Sequence, residues 1–518
     1  VKTIAAVLAL LAAAPAAYAD VKIPTILGDR MVLQRDKQVP IWGWAEAGES
    51  VTVEFAGQKK SATAGADGAW KVVLDPMAVS AEGRALTIAG KNTIALKDVL
   101  VGEVWLCSGQ SNMQWDLRQS TEADLEVLTA KYPLLRLISV PQVASQKPLT
   151  TFKGQWEACT PETAATFSAV GFYFGRQLHL TLGVPVGLID NSWGGSAAEA
   201  WVRRDVLEQN ERYLPLIKSW DERVAQFDPE KAKADFQKTL ETWEKAVAKA
   251  KEEGKEPPRR PNAPGAPEGS NHRPANLYNG VLNPIIGYGL RGTIWYQGES
   301  NAGRAYQYRH LFPLMIKNWR EVWGQGDFPF YWVQLADFMA ETPEPVESAW
   351  AELREAQTMT MSALPNTGEA VIIDIGEGRD IHPRNKLTVG LRLARWALAK
   401  DYGLAVPHRS PTYKSMEKKD GKIVVTFDFV GSGGLYAFDV AEVRGCFIAG
   451  EDRKWRVAKA RILGKDRVEV WHDEVKDPVA VRYGWANNPV LNLYSREGLP
   501  ATPFRTDDWP GTTAGKEQ

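Results

Sequence analysis

The stretch Gly102-Glu103-Val104-Trp105-Leu106-Cys107-Ser108-Gly109-Gln110-Ser111-Asn112-Met113 decides the reading of this chain. An apolar run over residues 99–107 enters a small polar turn, Gly109-Gln110-Ser111-Asn112, and helix-compatible sequence follows. Strands buried on both faces of a parallel sheet read as such continuous apolar runs. A glycine-assisted turn at the end of such a strand projects its hydroxyl from the sheet edge. Ser111 would then lie beside backbone N–H groups at a helix start, where a developing oxyanion can be held. The turn departs from the Gly-x-Ser-x-Gly elbow, because Met113 stands at the second glycine position. A Gly-x-Ser triplet alone occurs in many loops, so the rest of the chain must support it.

Moving outward from this turn, residues 99–107, Val186–Asp190, Gly292–Tyr296, 329–335 and 370–375 are apolar strand candidates. They alternate with helical patterns such as residues 170–182. That alternation predicts an α/β domain over 98–405, a parallel sheet with helices on both faces. Upstream, residues 20–97 read as a small β-sandwich: Val51, Val53 and Phe55 alternate with Thr52 and Glu54, and Asp67-Gly68 is a hairpin signal. Downstream, residues 406–518 turn β-rich again, with Asp420-Gly421 ahead of a strand at 423–427 and another candidate at Arg467–Trp471. An insertion at about 205–270 interrupts the α/β pattern. Ile217, Trp220, Val224 and Phe227, then Phe236, Leu240, Trp243 and Val247, recur at helical spacing. Asp228-Pro229 starts the second helix, and a Pro/Gly-rich run at 257–269 ends it.

At 518 residues the chain exceeds one core, and two to four domains are expected. Apolar content of 44% with 24% charged residues belongs to a soluble globular protein. A net charge of -1 leaves no basic excess to release counterions, which argues against nucleic acid as a partner. The 20 tryptophans serve cores first, although an excess also suits ring faces that stack on sugars. Lys2, the apolar residues 4–14 and Ala17-Tyr18-Ala19 read as a secretory signal cleaved near Ala19, with Val1 as an alternative start. That predicts an exported protein, periplasmic or extracellular. The run is shorter than the ~20 residues of a membrane span, and no membrane insertion is expected. Cys107, Cys159 and Cys446 allow at most one disulfide, and no Cys/His spacing suits zinc. Neither metal nor cofactor is expected.

Three further segments stand at expected strand ends, where ligands gather in open α/β sheets. Asn191-Ser192-Trp193-Gly194-Gly195-Ser196 follows Val186–Asp190, and its paired glycines let a backbone N–H approach a ligand closely. Gln297-Gly298-Glu299-Ser300-Asn301 follows Gly292–Tyr296, and its side-chain amides suit second or third oxyanion donors. Gly376-Glu377-Gly378-Arg379-Asp380-Ile381-His382-Pro383 carries His382, which alone among 6 histidines pairs closely with a carboxylate at such an end. Pro383 biases His382 toward extended backbone, and in an extended Asp-x-His both side chains leave one face. Asp380 can then orient the imidazole as the acid of a Ser-His-Asp triad does, with Asp374 and Glu377 as competing acids. Glycoside hydrolysis would instead need two opposed carboxylates, for which Glu299 and Glu377 are available. A non-catalytic glycan-binding protein would use the tryptophans alone.

These segments resemble the blocks of the SGNH/GDSL hydrolases, and most closely the sialate O-acetylesterase-like carbohydrate acetylesterases. The resemblance covers nearly the whole mature chain. It is carried by Asp29-Arg30-Met31-Val32-Leu33-Gln34-Arg35, Val39-Pro40-Ile41-Trp42-Gly43-Trp44, and Arg273-Pro274 through Leu277-Tyr278-Asn279-Gly280. It continues in Trp295-Tyr296-Gln297-Gly298-Glu299-Ser300-Asn301, Asp380-Ile381-His382-Pro383, and Leu493-Tyr494 through Pro503-Phe504-Arg505-Thr506-Asp507. It implies an SGNH, flavodoxin-like α/β domain with accessory β-sandwich-like domains. The implied activity is a serine esterase that removes O-acetyl groups from a carbohydrate, either sialic acid or an acetylated polysaccharide such as xyloglucan. Esters of other acyl groups are the alternative. The resemblance places the nucleophile on Ser111, the base on His382 and a glycine oxyanion donor on Gly194 or Gly195. Gln110, Asn112, Trp193 and Glu299 are expected around the substrate. Two departures stand out. The family's acid usually precedes the histidine by three residues, whereas Asp380 precedes His382 by two. The usual Gly-x-Asn-Asp block reads Gly298-Glu299-Ser300-Asn301, which leaves Gln297 and Asn301 as alternative amide donors.

Overall fold

The computed structural model describes residues 20–263 and 265–516, so the expected signal segment lies outside the described residues. Its centre is a sheet of parallel strands: β1 (Thr93–Gly109), β2 (Tyr132–Ser139), β3 (Val186–Asp190), β4 (Gly292–Tyr296), β5 (Phe330–Val333) and β6 (Thr367–Ala370). They lie in the order β6-β5-β4-β1-β3-β2, and each neighbouring pair is parallel. With β2 and the short antiparallel strand Glu157–Cys159 beside it set aside, the rest follow the flavodoxin-like order, second-first-third-fourth-fifth. The winding reverses at β1, which has β3 on one side and β4 on the other. A reversal of this kind opens a crevice at the carboxyl ends of the strands, and Ser111 follows β1 there.

Helices cover both faces: α1 (Ser111–Gln114), α2 (Ala169–Leu182), α3 (Ala305–Trp323), α4 (Ala349–Ala363) and α5 (Lys386–Lys400). Successive strand residues face opposite sides. Trp295 enters a core with Phe312 and Trp319 of α3, while Ile294 and Tyr296 enter the core of α2 and α5. Trp105, Trp156, Trp201, Trp295, Trp319, Trp332 and Trp485 are fully buried, so packing accounts for much of the tryptophan load. All three cysteines are free and buried.

β1 is longer than the apolar run that announces it. Its first half pairs antiparallel with Ser80–Ala89 and parallel with Val32–Gln34, and its second half runs on into the central sheet. The boundary expected between residues 97 and 98 therefore falls inside one strand. Glu103 fastens the junction. Fully buried, it accepts hydrogen bonds from Gln34 (3.0 Å), Arg35 (2.5 Å) and Arg291 (2.9 Å).

Two expectations are corrected. Residues 370–375 are not a strand: β6 ends at Ala370, Ile375 N–H turns back to the Ile372 carbonyl, and Arg392 caps the Val371 carbonyl. The run is apolar because Val371, Ile372 and Ile373 are buried, not because they pair. Asp67-Gly68 makes no hairpin either. Gln58–Thr63 pairs with Ser50–Phe55, whereas Ala69–Leu74 pairs with Val39–Trp44, so the turn links two layers of the sandwich. Asp420-Gly421 does close a hairpin between Thr412–Lys419 and Lys422–Asp428. Both turn residues are left-handed (φ 50° and 71°), as a two-residue type I′ turn requires.

In the insertion, Leu214–Ala225 and Pro229–Glu252 are helices, and Asp228 caps the second through bonds from the Glu230 and Lys231 N–H groups. The second helix buries none of its residues fully, and the Trp243 indole N–H donates to the Pro258 carbonyl of the Pro-rich run.

Candidate active site

The nucleophile turn begins with a backbone constraint. Gly109 is left-handed (φ 136°), and a Cβ there would lie 2.2 Å from the Tyr296 carbonyl oxygen, so only glycine fits. Gln110 N–H then donates to that same carbonyl at 2.9 Å, and α1 starts at Ser111. With the imidazole proton on Nδ1, Ser111 Oγ donates to His382 Nε2 at 2.8 Å, and His382 Nδ1 donates to Asp380 Oδ1 at 3.2 Å. The His382 backbone N–H bonds the same carboxylate oxygen at 2.9 Å. The other two acids are engaged elsewhere. Asp374 forms a two-point pair with Arg392 (2.5 and 2.7 Å), and Glu377 pairs with Arg384 (3.1 Å).

Burial holds the His382 imidazole below its ordinary pKa. It outweighs the hydrogen bond and charge of Asp380, which pull the value up, and the Lys386 charge adds to the lowering. A base kept neutral is ready to take a proton. Trp115, at the end of α1, stacks on the imidazole with ring centroids 5.0 Å apart and planes at 16°.

On the neighbouring strand ends, Gly194 N–H is engaged by Gln114 Oε1 at 2.7 Å, and Asn271 Nδ2 donates to the Gly194 carbonyl. Gly195, left-handed at φ 70°, makes no hydrogen bond through its N–H to another described residue. The two amide candidates are buried in a shared network. Gln297 Nε2 donates to the Ser196 carbonyl (3.1 Å) and Asn301 Oδ1 (2.7 Å), and its Oε1 accepts from Tyr308. Asn301 Nδ2 donates to Glu199 Oε2 at 2.9 Å. Both amides thus brace the loop after β3. Gln297 has no amide hydrogen left for an oxyanion in this arrangement.

Among the residues expected around the substrate, Trp193 is half-buried against the core and Gln110 is buried, accepting from Gly298 N–H. Asn112 corrects the expectation: it is 1% exposed, and its amide is bonded to Glu299 Oε1 (2.7 Å), the Ile381 carbonyl (3.0 Å) and Lys386 Nζ. Both of its amide hydrogens are thereby committed inside the chain, and burial keeps the group from a ligand. Glu299 is drawn into the same contact, and burial pushes its carboxyl above the usual range. The carboxylate pair considered for glycoside hydrolysis is thereby split between an interior network and an exposed ion pair with Arg384.

Sequence reasoning missed Trp115 and Lys386. Lys386 carried a local signal, since a lysine in the first turn of a helix opposes the macrodipole. Trp115 carried none. Among the described residues, no group of three or more His, Cys, Asp or Glu is gathered as metal ligands would be.

A parallel α/β sheet of this order, carrying Ser111, His382 and Asp380 in series at its switch point, is that of an SGNH-type esterase flanked by β domains. Residues 271–395 match the model of the family described as carbohydrate esterase, sialic acid-specific acetylesterase. Sialate O-acetylesterase of Mus musculus is 30% identical over 93% of this chain and 94% of its own length, and that of Rattus norvegicus 31% over the same shares. A crystal structure of a carbohydrate acetylesterase from Xanthomonas citri superposes with a TM-score of 0.78 at 37% identity, covering 95% of this chain and all of that one. The chain belongs to the sialate O-acetylesterase family of carbohydrate esterases.

Proposed function

We propose that this protein hydrolyses O-acetyl esters on a carbohydrate with Ser111 as nucleophile. The observation that carries the reading is the 2.8 Å contact between Ser111 Oγ and His382 Nε2, continued to Asp380. His382 takes the hydroxyl proton as Ser111 attacks the acetyl carbonyl, then returns it to the sugar alkoxide as the C–O bond breaks. Asp380 holds the imidazole in the tautomer that leaves Nε2 free to accept. The Ser111 N–H, in the first turn of α1, and the unengaged Gly195 N–H hold the oxyanion. Water, deprotonated by His382, then releases acetate and restores the serine. The matched family and the acetylesterases it resembles support acetyl as the acyl group and a sugar as its carrier. The export signal read at the N-terminus fits a substrate outside the cytoplasm, such as sialic acid or an acetylated polysaccharide.

The test is acetate release from a panel of acetylated glycans, alongside aryl acetate, butyrate and octanoate. Acetate should be released from at least one glycan, and aryl acetate should be cleaved far faster than octanoate. Equal rates on octanoate, with no acetate from any glycan, would refute the carbohydrate reading.

A further inference from the structure

Asn112 is tied on three sides to segments that arrive from distant parts of the chain. Its Nδ2 donates to Glu299 Oε1 at 2.7 Å and to the Ile381 carbonyl at 3.0 Å, and its Oδ1 accepts from Lys386 Nζ. An ammonium only donates and a carboxylate only accepts. A flipped amide would set its NH2 against Lys386 and its oxygen against Glu299, so the two charges admit one orientation. In that orientation the remaining amide hydrogen is aimed at Ile381, the residue before His382. Asn112 itself is the residue after Ser111. One side chain therefore links nucleophile and base, a single residue from each.

The arrangement is held against two penalties. Lys386 is 0% exposed, and burying an ammonium is costly unless it is paired and hydrogen-bonded. It also occupies the first turn of α5, the end where the helix dipole disfavours a cation. Nζ lies 5.3 Å from the Tyr296 ring centroid and 5.7 Å from that of Trp115, so aromatic faces supply part of the compensation. Burial pulls its pKa down to about 7 against the attraction of Glu299, Glu377 and Asp380.

We propose that Lys386 is a positioning residue: with Glu299 it fixes the orientation of Asn112, and Asn112 sets the contact between Ser111 and His382. This rests on the serine-esterase reading above. The test measures the second-order rate of Ser111 phosphonylation by a small fluorophosphonate, with kcat and KM on aryl acetate, in the full-length wild type, Asn112→Asp and Lys386→Met. Asn112→Asp keeps the shape of asparagine but has no N–H to give. Phosphonylation and kcat should fall together by about 10²-fold, the loss expected of a small misalignment of reacting groups. KM should stay within about threefold, since Asn112 and Lys386 are buried and bonded within the chain. Where Lys386→Met fails to fold, Asn112→Asp carries the test. Folded variants that are phosphonylated at the wild-type rate while KM rises would overturn the proposal and make Asn112 a substrate contact. A wild type that is not phosphonylated at Ser111 would instead refute the serine reading itself.

Discussion

Replacing Ser111 by alanine removes the hydroxyl that His382 contacts and should lower kcat by several orders of magnitude without unfolding the chain. The acid is the more discriminating case. Asp380 is the carboxylate on His382 Nδ1, but its side chain is 54% exposed, so water shares in stabilising the imidazolium. Asp380→Asn should therefore cost about 10²–10⁴-fold in kcat, at or below the loss known for a buried triad acid. Asp374→Asn and Glu377→Gln, which break ion pairs with Arg392 and Arg384, should cost less; kinetics of the three variants rank them. The pH profile follows from the same contacts. Only neutral imidazole accepts the serine proton, so kcat/KM rises with pH through the His382 pKa. Burial places that midpoint below the ordinary value of ~6.5. Asp380 acts in the opposite direction and Lys386 in the same one, so Asp380→Asn should move the limb further toward acid as well as lower its plateau. A limb centred above pH 7 in the wild type would contradict the assignment. Ser111, His382 and Asp380 were legible in the sequence because each stands in a turn whose local chemistry is unusual. Asn112 resembles a ligand contact in the sequence because its partner Lys386 lies 274 residues away, and only the fold brings them together.

At the level of elements, β3 and β4 were readable to the residue. Both are fully buried parallel strands, for which the apolar run and the hydrogen-bonded ladder coincide. Where burial and pairing part company, the sequence misleads. Residues 371–373 are as apolar as a strand yet leave the ladder at Ala370, while β1 begins at Thr93, ahead of Lys97 and Asp98, which break the apolar run that announces it. The value of the long β1 lies in its middle, at Glu103. Burial alone would raise this carboxyl, but hydrogen bonds and charge from Arg291, with bonds from Arg35 and Gln34, hold it below the usual range. A depressed carboxyl pKa means stability that is present above the unfolded value and lost as pH falls through the folded one. Glu103→Ala should strand two partly buried guanidinium groups and cost about 3–5 kcal/mol in denaturant unfolding, the loss typical of a broken buried pair. The deficit should shrink as the pH is taken down into the carboxylate range. A variant as stable as wild type at pH 7 would show that the junction is held by apolar packing alone.

Across the whole molecule, the three regions that the sequence separates are joined by buried polar contacts. Arg354 of α4 is 0% exposed and donates to the carbonyls of Leu335 and Ala336 on one side and of Ala486 and Asn487 on the other. Glu352, two residues earlier on α4, accepts from the N–H groups of Thr512 and Thr513, and Glu355 accepts from Arg505. The same helix reaches the site, because Gln357 Nε2 donates to the Gln297 carbonyl at 3.0 Å, two residues before Glu299. A segment of residues 98–405 would thus lose more than an appendage. It would sever β1 from its partners at Val32–Gln34 and Ser80–Ala89, and strip from α4 the C-terminal residues that cover Glu352 and bind one side of the Arg354 guanidinium. Lost strand pairing and newly exposed apolar surface are set against a total stability of only about 5–15 kcal/mol for a domain. The segment expressed alone should therefore be aggregated or loosely packed, with weak near-ultraviolet circular dichroism and no fluorophosphonate labelling. Arg354→Met in the full-length chain should act in the same direction without deleting anything, lowering the melting temperature and, through α4 and Gln357, the rate at which Ser111 is labelled. A monodisperse, fully labelled 98–405 segment would show that the flanking β regions serve the substrate and not the stability of the catalytic sheet.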